Sequence, residues 1–306
     1  MNVPTLLSTG ILLLCFACTC LGQATAGDVP PANGAEDASA ADDAAPPSTG
    51  QTVLPFVPSY GFDLLDIGRT IEEKLSVQVS GTLQNKHIWH GFDLMDGRPV
   101  FFPVATMTLG DTGVSAKVIG ACAIGGDVSQ RDELDGALFY SRDLLSDARW
   151  ATHCTLNYFY YGKPRIPSQR ADAQELGVSL SWPKLLGDTP LVPSYYVGGL
   201  WPSEHDSLVS GISGFIHILG LAYDLAVPNP GSQDHTQFFK FYGDITYNDG
   251  FGGAGHGWSH ITFGTSTNLT AGKVIITPAI NYQISTKSSI TPENGFWGGM
   301  TFTYRF

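Results

Sequence analysis

The 306-residue sequence predicts an all-β fold, an antiparallel transmembrane β-barrel of about twelve strands. Three observations predict it. Long stretches alternate apolar and polar residues, the period of a strand and not of a helix. The apolar face of these stripes is rich in aromatics, while the polar face is Ser, Thr, Gln, Asn and Gly with little charge. The chain also closes on "GMTFTYRF", still striped at its last residue, so its final strand must be paired there and its apolar face covered.

The N-terminal elements come first. Residues 1–26 carry no charged side chain and contain the apolar run "ILLLCFACTCLG" from Ile11 to Gly22. A bilayer-spanning helix needs about 20 such residues. With Ala24-Thr25-Ala26 behind it, the run reads as a secretory signal peptide removed after residue 26, although no Lys or Arg precedes it. Cys15, Cys18 and Cys20 leave with it, and the remaining Cys122 and Cys154 are too few for a disulfide framework.

Residues 27–60 are Ala-, Pro-, Gly-, Ser- and acid-rich, with no large apolar residue between Val29 and Val53. Such a segment cannot offset its ordering entropy and reads as disordered. Residues 61–74, around "FDLLDIGRTIEEK", form a short helical or linker piece, and 75–306 form the barrel. The net charge of −12 excludes nucleic acid as a partner, because neutralising phosphates takes Lys and Arg.

Striped segments between turn clusters place the strands at 75–90, 98–109, 113–124, 132–142, 149–161, 173–182, 190–201, 211–226, 236–248, 257–268, 273–285 and 295–306. Many exceed the usual strand length of about 5–6 residues and suit the ~9–11 that a tilted strand needs to cross a bilayer. A soluble barrel would turn aliphatics inward and charges outward, which this polar face does not provide. Trp89, Trp150, Trp182, Trp201, Trp258 and Trp297 fall near strand ends, where an interfacial girdle sits. An even strand number returns both termini to one side, the periplasm if the membrane is a bacterial outer membrane. Pro103 and Pro278 interrupt stripes and call for bulges or rims. The connections read as short, about four to ten residues, with no long constriction loop.

The face opposite the apolar one supplies the lumen. Its candidate lining is Lys86, Lys117, Glu175, Lys240, Tyr242, Asp244, Asn281, Gln283 and Arg305, a mixed-charge set that suits a hydrated interior. About twelve strands make a narrow barrel, between filled eight-stranded ones and wide porins.

No residue pattern here carries chemistry. In extended chain, His256 and His260 lie about 13 Å apart at ~3.3 Å per residue, too far to share one ion. His87 and His90, an odd number apart, read as girdle or loop-rim residues. Ser259 and His260 are adjacent, hence on opposite strand faces, and no nucleophile elbow is present. Glu133 and Asp135 share a face and read as rim or pore charges. Neither a catalytic residue nor a metal or other cofactor is expected. Cys122 and Cys154, on the third and fifth strands and nearly ~10 Å apart, read as lipid-facing free thiols.

Two resemblances add to this reading. Phe302, Tyr304 and Phe306 resemble the terminal strand of bacterial outer-membrane barrels. That likeness implies outer-membrane lipid as surroundings and the barrel-assembly machinery as a partner of the last strand. "SGTLQNKHIWHGFDLMDGRPVFFP" (Ser80–Pro103) with "DELDGALFY" (Asp132–Tyr140) resembles a family of uncharacterised Gram-negative outer-membrane proteins, with His90 where Arg is expected. MltA-interacting proteins are similar in size and layout. The functional expectation is passive uptake of a small polar solute through a narrow lumen. The alternative is a scaffold that docks a periplasmic protein, such as a cell-wall enzyme, through its turns or N-terminal tail.

Overall fold

The computed structural model describes residues 75–125, 132–166, 171–187, 189–204, 209–228, 236–291 and 293–305. The expected signal peptide, acidic segment and piece at 61–74 lie outside the described residues, as does Phe306.

The strands are β1 (Ser76–Gln84), β2 (Ile88–Trp89), β3 (Phe92–Asp93), β4 (Val100–Leu109), β5 (Val114–Ala123), β6 (Glu133–Leu144), β7 (Thr152–Gly162) and β8 (Ala173–Ser181). They continue as β9 (Leu191–Pro202), β10 (Gly214–Pro228), β11 (Thr236–Asp249), β12 (His256–Thr267), β13 (Leu269–Ala271), β14 (Val274–Ser285) and β15 (Gly295–Arg305). Twelve of them, all but β2, β3 and β13, pair antiparallel with both neighbours in a closed ring, β1 joining β15 and β12 joining β14. Closure leaves no unpaired edge.

The ring explains the striped C-terminus. Phe302 pairs with Gly81 on one side and Ile276 on the other, and Tyr304 pairs with Val79 and Val274. Phe302, Tyr304 and Met300 face outward and are exposed. They belong to a continuous apolar jacket that includes Leu138, Leu176, Leu219, Phe241, Phe263 and Phe296, all exposed. A closed barrel that shows large apolar side chains on every side has the surface of a protein embedded in lipid.

The prolines sit where the ladder can spare a donor. Register between β4 and β5 is interrupted at Phe102 and Pro103. Pro278 lies in the gap on β14 between its pairing to β12, which ends at Ala279, and its pairing to β13, which begins at Ile276. One further irregularity has consequences inside: a bulge opposite Thr246 and Tyr247 leaves Ser259 as an extra residue on β12. Cys122 is buried beside Phe101, Cys154 is half-buried on the outward face, and neither forms a disulfide.

The first strand departs from expectation. It ends at Gln84 and does not run to residue 90. Asn85 still bonds Gly298 through both its backbone N–H and its side-chain oxygen, and then the chain turns into the barrel. β2 and β3 form a hairpin whose two turn residues, His90 and Gly91, have φ of 45° and 93°. Positive φ at both central positions is the type I′ geometry that matches strand twist. A second tight turn follows, where Asp93 accepts the N–H groups of Met95 and Gly97. Residues 85–99 are therefore an inward-folded segment, which corrects the expectation of short surface connections.

Candidate functional site

The hairpin crosses the lumen at the end opposite the described chain termini. Trp89 packs tilted against Phe251 at 5.0 Å and edge-on to Tyr161 at 6.1 Å, centroid to centroid. His90 packs edge-on to Phe251 and parallel to Tyr196, and its Nε2 lies 3.8 Å from Glu175 Oε1. Trp89 is 2% exposed and Trp297, on the inner face of β15, is 7% exposed. Both tryptophans are thus interior residues and not part of an outer girdle. Trp150, Trp201 and Trp258 are exposed and Trp182 is half-buried at the end of β8. His87 and His90 are likewise buried and not rim residues.

Polar groups of the barrel wall meet the hairpin. Glu175 accepts hydrogen bonds from Tyr161, at 2.6 Å, and from Tyr196. Tyr196 lies across Gly177 and Gly198, where an added Cβ would come within 2.4–2.5 Å of its hydroxyl. The glycines clear the space that lets one ring span two strands. Gln283 donates through Nε2 to Gly91 O at 3.1 Å, tying the hairpin tip to β14. Glu133 and Asp135 are buried on the inner face: Glu133 pairs with Lys163 at 2.6 Å, and Asp135 accepts the Gly162 N–H. Lys163 N–H in turn donates to Asp172, which also accepts Tyr160 OH at 2.5 Å. The expected rim charges therefore form a buried network at this mouth.

His87 sits at the base of the hairpin, edge-on to Phe102 at 4.9 Å. Burial, reinforced by the charge of Lys163, lowers its pKa to about 3, so the ring is neutral. Around it, Met95, Val100, Phe102 and Ala121 make a small apolar core. A larger one joins Trp89, Tyr161, Tyr196, Leu200, Ile216 and Phe251.

Beneath the hairpin lies a recess of about 30 Å³, space for roughly two waters. Ile88, His90 and Gly91 roof it; Asp244 and Thr246 of β11, His260 and Thr262 of β12, and Asn281 and Gln283 of β14 wall it, with Ile218 and Trp297 at the sides. Tyr242 lies over Gly264 and donates to Asn281 Oδ1 at 2.5 Å. The β12 bulge brings Ser259 Oγ within 2.7 Å of His260 Nδ1, contrary to the opposite faces that strict alternation requires. His256 is exposed and contacts Asp249, away from His260. No group of three or more His, Cys, Asp or Glu that could hold a metal occurs among the described residues.

The other lining candidates divide by position. Lys117, Glu175, Lys240, Tyr242, Asp244, Asn281, Gln283 and Arg305 share the inner register of the ring. Lys117 Nζ lies 4.9 Å above the Phe139 ring, and Lys240 lies 3.8 Å from Asp224. Lys86 is not on the wall: it stands at the hairpin base, 4.0 Å from Asp93.

No family model matches the sequence, and no curated protein matches it. Among solved structures the chain is similar to a NanC porin, at 10% identity over 75% of this chain and 100% of that one, TM-score 0.43. It is similar to an outer-membrane channel from Pseudomonas putida F1, at 11% identity over 78% of this chain and 97% of that one, TM-score 0.44. It is also similar to LpxR from Salmonella typhimurium, at 9% identity over 75% and 100% of the two chains, TM-score 0.43. Likeness of this degree accompanies the barrel form and transfers no activity to this chain.

Proposed function

We propose that this chain is a bacterial outer-membrane barrel that acts as a narrow channel for small polar solutes, with passage controlled by the hairpin 85–99. The observation that carries the reading is the make-up of the lumen below the hairpin. Its inner face is hydroxyl, amide and mixed charge, and the hairpin, packed with Val209, Ile212 and Phe251, stands between it and the far mouth. In this reading both termini are periplasmic, the hairpin guards the outer mouth, residues 1–26 direct secretion, and the last strand engages the assembly machinery. The reading is non-enzymatic, because the Ser259–His260 contact is buried.

The apolar packing of Trp89 and Phe251 in the mouth favours a second reading, a non-conducting scaffold for a periplasmic protein. Planar-bilayer recordings separate the two. The native barrel should give small or infrequent conductance steps, and a variant with residues 87–97 replaced by a short Gly/Ser turn should give larger, frequent ones. Silence from both, with a periplasmic protein retained through residues 27–60, would establish the scaffold instead.

A further inference from the structure

The recess under the hairpin is chemically one-sided. Asp244 contributes a carboxylate, and no lysine or arginine lines the space. Among the described residues no basic side chain lies within ion-pair distance of Asp244. The lysine nearest along its strand face, Lys240, is turned to Asp224 at 3.8 Å. Gln283 adds a second acceptor: its Nε2 is committed to the carbonyls of Gly91 and Glu293, while its buried Oε1 has no partner. Asn281 is held in place by Tyr242, and the hydroxyls of Thr246 and Thr262 flank the carboxylate.

A carboxylate in a poorly hydrated wall is costly without a counter-charge, and a buried acceptor is costly without a donor. A positive centre bearing N–H groups answers both needs. A neutral polyol answers only the second, and an anion is repelled. Trp297 and Ile218 offer an apolar side against which a short alkyl stem, or the cation itself, can lie. The space of about 30 Å³ admits a head group and not a large molecule.

We propose that this recess is a binding site for small organic cations carrying a primary ammonium group, with Asp244 as counter-ion and Gln283 Oε1 as second acceptor. The proposal rests on the channel reading, since the ligand arrives through the open half of the lumen.

The test is calorimetric titration of the full chain, folded in detergent, with ethylammonium chloride at pH 8. The neutral alcohol n-propanol, one methylene longer, glucose and acetate serve as comparison probes. Ethylammonium should bind saturably and the other three should not. Asp244→Asn should weaken binding about tenfold or more, the share of one charge-assisted hydrogen bond, whereas Asp244→Glu should keep it within a few-fold. Asp143→Asn, at the opposite end of the inner face, should change nothing.

Equal binding of n-propanol, glucose or acetate overturns the proposal, as does an Asp244→Asn barrel that binds like the native one. Heat-modifiable gel migration reports folding of each variant. Should Asp244→Asn not fold, the contrast between ethylammonium and n-propanol on the native chain decides alone. Binding needs no conduction, so the two readings fail separately. A barrel silent in bilayers that binds ethylammonium keeps the site and loses the channel; a conducting barrel without ethylammonium binding does the reverse.

Discussion

The two halves of the lumen are built by the same twelve strands with the same alternation, yet one is packed and the other is polar and more exposed. Towards the far mouth the inner positions are large or acidic: Phe102, Glu133, Tyr161, Glu175 and Leu200, all buried. Towards the termini they are small hydroxyls and exposed charges, such as Ser115, Ser141, Thr155, Asp143 and Arg305. Large rings and acids on a concave wall need an occupant, and the hairpin 85–99 supplies it with apolar faces and backbone groups. Hydroxyls and solvated charges are satisfied by water. Alternation fixes which residues face in; their size and polarity fix whether the interior becomes a core or a vestibule.

The two halves differ most in their ion pairs. Lys163 and Glu133 are almost fully buried and 2.6 Å apart. Lys163→Met should leave the Glu133 carboxylate stranded and cost about 3–5 kcal/mol, read as a lowered denaturant midpoint of the lipid-folded barrel. The double variant Lys163→Met/Glu133→Gln should recover most of that loss, because no charge is then left uncompensated. A single-variant loss below about 1 kcal/mol would mean that this half is as wet as the other.

Next in size is the hairpin tip. Gly91 has φ of 93°, and a Cβ there would come within 2.5 Å of His260 Nδ1 and 2.8 Å of Thr291 Oγ1. Gly91→Ala therefore combines left-handed strain with a clash and should cost the docked hairpin about 1–3 kcal/mol. The expected result is faster protease cleavage within 85–99 and more frequent conductance steps, with the barrel itself intact by gel migration. Unchanged cleavage would show that the tip is not seated against β12.

Acid should loosen the same element. The His87 pKa is lowered to about 3 in the docked state against an ordinary 6.5. The released hairpin therefore takes up the proton first. Docking is at full strength above pH 6.5 and weakens as pH falls towards 3, by about tenfold in equilibrium constant per unit. Amide protection at Ile88–Phe92, referred to the intrinsic exchange rate at each pH and compared at pH 7 and pH 5, should show the loss, and His87→Phe should abolish it. Protection that rises on acidification would carry the wrong sign for this account.

Each of these tests bears on features that were unequally visible in the sequence. The twelve wall strands are legible because period-two alternation over nine or more residues has no competing explanation, and apart from the early end of β1 at Gln84 their ends fall close to the expected ones. The hairpin is not read from alternation, since "HIWHGFDLMDG" extends the stripe of β1 without a break in composition. Its signal is the pair of tight turns, His90-Gly91 and Asp96-Gly97, whose four residues all adopt positive φ. Trp297 was legible by parity. Counting back from Tyr304 and Phe302 on the outward face puts it inward with Thr301 and Thr303. Its position near a strand end says only how high it sits, not which way it faces. The Ser259–His260 contact was hidden for a different reason. A bulge adds one residue and resets parity, and nothing in "GWSHITF" marks where the extra residue goes. The recess was half visible: Asp244, Asn281 and Gln283 follow from the inner face, while its roof depends on the hairpin.

The smallest expected effect tests the open half directly. Lys240 and Asp224 face each other on neighbouring strands at 3.8 Å, with side chains 18% and 33% exposed. A pair wetted to this degree is screened and carries about 1 kcal/mol at most. Lys240→Met should therefore shift the denaturant midpoint by no more than that, and the shift should shrink as salt rises from 0.05 to about 0.5 M, where screening acts within a few ångströms. Its larger consequence should be electrical. Removing one positive charge beside Asp224 makes the vestibule more acidic, so the reversal potential in a salt gradient should move towards cation preference. A midpoint loss as large as that of Lys163→Met, insensitive to salt, would place Lys240 in a dry interior and erase the difference between the two halves.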